Sequence, residues 1–95
     1  MPTETIEISS SIIDQINSVN ESWKIIAYNN DVTPFNVVFY VLKSVIPLSD
    51  DEAYNKTLEI HLFGKSMVYM GSKEHCEKIG AAFKLIRVEY DITND

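Results

Sequence analysis

Cysteine is nearly missing from this chain. Cys76 stands alone among 95 residues, which excludes an intrachain disulfide framework, and without a CxxC partner it gives no metal or redox signature. A reducing, cytoplasmic setting is expected. Basic charge is also scarce, with 8 Lys and Arg against 14 Asp and Glu and a formal net charge of −6. No basic stripe exists to neutralise phosphates, so nucleic acid is not an expected partner. The longest apolar run, Val37 to Leu42, is far short of the about 20 residues that span a bilayer, and the acidic start has the opposite sign to a secretory leader. No membrane association is expected. GxSxG, HExxH, Walker and GxGxxG patterns are all lacking, so the reading is not an enzyme, with no cofactor and no metal.

What is present suits one small domain: 45% of the residues are apolar, enough at this length for a core without staples. Charge is unevenly spread. Residues 1–21 hold −4 with no Lys or Arg, residues 22–87 hold +1, and Glu89, Asp91 and Asp95 add −3. The first stretch mixes Ser9, Ser10, Ser11, Asn17, Ser18 and Asn20 with isolated isoleucines and has no sustained period. It is expected to be a flexible acidic extension over 1–21 with a short helical turn at Ile12 to Ile16, leaving a folded domain over 22–95.

Within that domain, Trp23 to Tyr28 is aromatic and β-branched and stops at Asn29-Asn30-Asp31, which favours a turn after a first strand. Thr33-Pro34 reads as an N-cap followed by proline at the first helical position. Phe35, Val38, Phe39, Leu42 and Val45 then give a helix one apolar face before Pro47. Ser49-Asp50-Asp51-Glu52 is a capping box with further acids in the first turn. It opens a second helix whose stripe Tyr54, Thr57, Leu58, His61 and Leu62 should face the core and whose stop is Gly64. Met67 to Met70 reads as a strand, Ser72 caps a third helix, and Ile86, Val88, Tyr90 and Ile92 alternate with Arg87, Glu89 and Asp91 as a last strand. The order β-α-α-β-α-β predicts an α+β two-layer sandwich, three helices on a three-stranded antiparallel sheet.

Few residues suggest chemistry. Cys76 and His75 are neighbours on one helix and point apart, which disfavours a nucleophilic pair. Asp50, Asp51 and Glu52 read as helix-start acids rather than a metal cluster. His61 is open between a satisfied core histidine and a functional one, and Asn29-Asn30-Asp31 is open between a plain turn and a site. Convergence of the two would make an acceptor-rich pocket suited to an ammonium group.

These residues also carry a resemblance. The run Trp23-Lys-Ile-Ile-Ala-Tyr-Asn-Asn-Asp-Val-Thr-Pro-Phe-Asn-Val-Val-Phe-Tyr-Val-Leu42 resembles the signature of the ClpS adaptor family, an aromatic strand leading into Asn-Asp-Asp-x-Thr-Pro and a Val-rich helix. It continues without a gap through Ser49, Glu52, Ala53 and Leu58-Glu-Ile-His61 to Gly64-Lys65 and Glu74, covering about Trp23 to Glu77. The resemblance implies a fold related to the C-terminal domain of the ribosomal stalk protein. It further implies an adaptor, monomeric and non-enzymatic, that binds proteins by N-terminal Phe, Leu, Trp or Tyr and delivers them to the N-terminal domain of a Clp ATPase of the ClpA or ClpC type for proteolysis. In this reading Asn29, Asp31 and His61 hold the degron's α-ammonium, and Ala27, Thr33, Phe35, Val38, Thr57 and Ile60 wall the side-chain pocket. Glu74 would dock the ATPase, and the extension 1–21 would take part in delivery.

Departures from the pattern are specific. Asn30 stands where the family usually has its first Asp, Phe35 and Thr57 stand where it usually has methionine, Ala27 replaces a larger aliphatic, and Ile79 replaces a lysine of the docking surface. They imply lowered negative potential at the ammonium and a reshaped pocket. They also motivate a second reading, an interaction module that keeps the fold but modulates the ATPase's substrate choice, or binds another partner, without holding degrons.

Overall fold

A computed structural model describes residues 22–94; the expected extension over 1–21, with its helical turn, lies outside the described residues. The elements run β1 (Trp23–Tyr28), α1 (Phe35–Val45), α2 (Asp50–Phe63), β2 (Lys65–Gly71), α3 (Lys73–Leu85) and β3 (Tyr90–Thr93). They form the three-helix, three-stranded α+β fold expected. The sheet order is β2-β1-β3 with both pairings antiparallel, so the first strand is central. Its alternate residues Ile25 and Ala27 are fully buried and sit opposite Ile92 and Tyr90 of β3. The core between sheet and helices adds Val38, Leu42, Ile46, Ala53, Ile60, Val68, Cys76, Ile79, Phe83 and Val88. No helix among the described residues is long and apolar enough to cross a membrane.

Local signals explain most boundaries. The Ser49 side chain accepts the Glu52 N–H at 3.1 Å while Glu52 Oε1 accepts the Ser49 N–H at 2.8 Å, closing the capping box, and Lys43 pairs with Asp50 at 2.7 Å. Gly64 ends α2 with φ 89°, a left-handed geometry that favours glycine, and its N–H returns to the Ile60 carbonyl at 3.0 Å. Ser72 caps α3 by accepting the His75 N–H at 3.1 Å.

Four local expectations are corrected. Thr33 does not cap α1: Pro34 occupies the N-cap position with φ −63° and ψ 151° and no side-chain cap bond exists, because the Thr33 hydroxyl is drawn to the Ile86 carbonyl at 2.6 Å. The buried stripe of α2 is Ala53, Thr57 and Ile60, whereas Tyr54 is 50% and Leu62 62% exposed. The face is rotated by about one residue, or about 100°, since small Ala53 and Thr57 let the helix approach α1 and β2 more closely than a Tyr54–Leu62 stripe would. The second strand is longer than expected, from Lys65 to Gly71.

The last strand is shorter, starting only at Tyr90. Residues 86–88 instead finish α3 in a Schellman motif: the Val88 N–H reaches the Phe83 carbonyl at 2.9 Å and the Arg87 N–H the Lys84 carbonyl at 3.2 Å, with Arg87 at φ 65°. Val88 and Phe83, the two positions that make the apolar contact of that motif, are both buried. Beyond it β3 crosses close over α3, where a Cβ on Gly80 would lie 2.5 Å from the Tyr90 ring.

Candidate functional site

The turn after β1 is organised by the side chain of its middle residue. Asn30 Oδ1 accepts the N–H groups of Val32 and Thr33, both at 2.7 Å, an Asx-type turn in which a side-chain amide replaces a backbone carbonyl. Asn30 Nδ2 donates to the Arg87 carbonyl at 2.9 Å. The Asn29 N–H donates to the Gly64 carbonyl at 2.9 Å, which fixes the loop against the end of α2 one turn from His61. A loop of six residues, 29–34, is thus tied to both the α2–β2 and the α3–β3 connections.

Between this loop and the two helices lies a cavity of about 280 Å³ lined by Asn29, Asn30, Asp31, Thr33, Phe35, Val38, Thr57, Ile60 and His61. Its depth is graded. Val38, Thr57 and Ile60 are buried and form the floor, whereas Asn29, Asp31 and His61 are exposed at the rim. The Thr57 hydroxyl donates to the Ala53 carbonyl at 2.7 Å, so its polarity is satisfied within the helix and the methyl is left as an apolar surface. Phe35 forms a side wall held by two edge contacts, to Tyr54 with ring centroids 5.6 Å apart and to His61 at 6.1 Å. Sequence reasoning missed Tyr54 as a support of that wall, placing it in the core instead; its position three residues before Thr57 was the available signal.

Eight of the nine residues named for the ammonium and side-chain sites line this cavity; Ala27 does not. It is fully buried in the sheet beneath, because alternation on the central strand turns it into the core, so the wall role is corrected for this residue. Among the described residues the side chains of Asn29 and Asp31 make no hydrogen bond or ion pair, and His61 makes only its ring contact with Phe35. Three acceptors, an amide oxygen, a carboxylate and an imidazole nitrogen, therefore border one recess with an apolar floor, their bonding capacity available. A donor-rich cation attached to an apolar group fits that arrangement.

Other surfaces offer less. A hollow of about 570 Å³ on the other side of the site loop, at the same end of β1, is lined by Tyr28, Lys84, Arg87, Val88, Glu89, Tyr90 and Asp91, mixing charges of both signs. Tyr28 donates its hydroxyl to Asp91 there at 2.6 Å. That bond and the adjacent negative charge hold the phenol above its usual pKa of 10.0. Glu74 is exposed at the start of α3 with only a loose contact to Lys78 at 4.0 Å, whereas Ile79 is core. Cys76 is fully buried, and burial pushes its thiol pKa up. Among the described residues no group of His, Cys, Asp and Glu could hold a metal ion.

Comparison with known proteins gives a family match and matches among solved structures. Residues 18–84 match the family described as ATP-dependent Clp protease adaptor protein ClpS. Among solved structures, Agrobacterium tumefaciens ClpS2 bound to L-phenylalaninamide is similar, with a TM-score of 0.65 and 24% identity over 75% of this chain and 95% of that one; at that identity the likeness establishes the fold. No curated protein matches the chain.

Proposed function

The chain belongs to the ClpS family of Clp protease adaptors, and we propose that its cavity receives the N-terminal residue of a substrate protein and that the domain delivers that substrate to a Clp ATPase. The side chain of an N-terminal Phe, Leu, Trp or Tyr enters the recess floored by Val38, Thr57 and Ile60, while the α-ammonium is held at the rim by Asn29, Asp31 and His61. What supports this most is the bordering of one cavity with an apolar floor by three acceptors with available bonding capacity. The binding of L-phenylalaninamide by the similar ClpS2, a free amine next to an aromatic side chain, is in keeping with it.

The energetics are coherent. An ammonium has three donors, and an amide oxygen, a carboxylate and an unprotonated imidazole nitrogen satisfy all three. Hydrogen bonds to a charged group contribute about 1.5–3 kcal/mol each, and burying a large apolar side chain adds about 1.5–3 kcal/mol. A polar or charged N-terminal side chain would lose its hydration against the Val38 and Ile60 floor without a partner. Selectivity for large apolar N-termini follows from the same geometry.

Delivery uses the exposed start of α3, with Glu74 facing the ATPase, and the acidic stretch 1–21. The adaptor acts as a monomer in the cytoplasm and carries no chemistry of its own. Titrating labelled peptides that differ only in the first residue tests the binding step: Phe, Leu, Tyr and Trp should bind and Asp, Lys and Gly should not. Absence of binding by all of them overturns the reading. Partner capture that survives in an Asp31→Ala, His61→Ala double variant would instead favour the interaction-module reading.

A further inference from the structure

We propose that Asn30 is a positioning residue: it sets the ammonium-binding loop by clamping it to the carbonyl of Arg87, without touching the ligand through its oxygen. The inference rests on the binding reading for its consequence and on the hydrogen bonds alone for the clamp. Asn30 Oδ1 is committed to the Val32 and Thr33 N–H groups at 2.7 Å each, and Nδ2 to the Arg87 carbonyl at 2.9 Å. Thr33 adds a second tie, its hydroxyl donating to the Ile86 carbonyl at 2.6 Å. Asn29 and Asp31, the residues given to the ammonium, flank Asn30 on either side. Whatever fixes Asn30 fixes them.

The anchor is itself unusual. Arg87 occupies the left-handed position of the Schellman motif with φ 65°, where glycine is the usual residue. The Ile86 and Arg87 carbonyls on either side of that reversal are the two that Thr33 and Asn30 reach. Asparagine matters here because its amide carries donor and acceptor together. An ionised aspartate could accept from Val32 and Thr33 but would set an oxygen against the Arg87 carbonyl. The replacement of the family's usual Asp by Asn30 therefore exchanges a charge near the ammonium for a tie between the site loop and the α3–β3 turn, and preorganisation of the loop is what the tie contributes to affinity.

Three variants of the full chain separate these effects: Asn30→Ala, Asn30→Asp and Thr33→Val, each checked by thermal melting. The readouts are the Kd of an amidated peptide beginning with Phe, and amide hydrogen exchange of Asn29, Val32 and Thr33. Asn30→Asp is measured in about 1 M salt, where the Debye length is about 3 Å and the added charge is largely silenced. Loss of the single Nδ2 hydrogen bond predicts binding weakened by about 3- to 10-fold in Asn30→Asp at high salt, and Asn30→Ala, which loses all three bonds, should be weakened at least as much, with faster exchange in the loop in both. Combining Asn30→Asp with Thr33→Val should weaken binding by less than the product of the two single effects, because both ties hold one loop. Wild-type affinity in Asn30→Ala, or in Asn30→Asp at high salt, overturns the positioning role. If the wild type binds no peptide at all, the binding reading fails, and exchange then decides the clamp: faster in Asn30→Asp supports it, unchanged overturns it.

Discussion

Replacing Gly64 by alanine isolates a single physical term. Gly64 lies at φ 89°, and a Cβ built on it meets nothing within 4 Å, so the substitution introduces no clash and buries no group. Its cost is therefore conformational. A left-handed residue other than glycine costs about 1–2 kcal/mol, from which alanine's smaller unfolded-state entropy recovers about 0.5–1 kcal/mol. The net expectation is a destabilisation of about 0–1.5 kcal/mol, centred near ~0.75 kcal/mol, or a fall in Tm of up to about 12 °C for a domain of this size. Arg87→Gly runs the same term backwards: Arg87 is left-handed at φ 65°, and glycine there should stabilise by a few tenths to about 1 kcal/mol. Urea and thermal melts of the two variants beside the wild type read both signs. A Gly64→Ala variant more stable than the wild type, or an Arg87→Gly variant that is less stable, would refute the reasoning, since no compensating contact exists at Gly64 to hide behind.

The remaining expectations concern packing, pH and the site. Gly80→Ala should destabilise by about 1–3 kcal/mol, although glycine to alanine within a helix ordinarily stabilises by about 1 kcal/mol, because the new methyl would lie 2.5 Å from the Tyr90 ring; the sign of the change in urea midpoint decides. Tyr28 has its pKa raised by its bond to Asp91, so the bond stabilises the fold below pH 10 and its contribution is lost as pH climbs through the raised value. The stability difference between wild type and Tyr28→Phe should accordingly be present at neutral pH and vanish in strong alkali, as followed by urea melts across pH. His61→Ala should weaken binding of a peptide beginning with Phe by about 10- to 150-fold, the range for one hydrogen bond to a charged group. Isothermal titration of the variant beside the wild type checks this.

The legible parts of the fold were those written in neighbouring residues. The capping box from Ser49 to Glu52, the Gly64 stop and the aromatic β1 strand each depend on a few adjacent side chains, and each stands where the sequence placed it. Features decided by distant partners were not legible. Thr33 looks like a helix cap until Ile86, 53 residues away, takes its hydroxyl. The buried face of α2 was misjudged because Leu58 and Leu62 are apolar yet lie beside the stripe that small Ala53 and Thr57 allow to pack. The late start of β3 was hidden because the Schellman motif that ends α3 uses Arg87 where glycine would have announced it.

For the candidate site, residue types were legible but geometry was not. Asn29, Asp31 and His61 could be named from the motif, and their placement round one cavity follows from the Asn29 to Gly64 hydrogen bond that joins the loop to the end of α2. Ala27 failed as a wall because the sheet beneath the cavity turns it inward. Asn30 read only as a missing charge; its role as a clamp needed the Arg87 carbonyl, 57 residues away, to be seen beside it.

The central claim is that the cavity recognises a free α-ammonium joined to a large apolar side chain. Binding of one Phe-initiated peptide measured with its N-terminus free and again N-acetylated tests this most directly, because acetylation removes the charge and two donors while leaving the side chain intact. Binding of the free peptide and loss of measurable binding on acetylation is the predicted result. Equal affinity for the two forms would contradict the account.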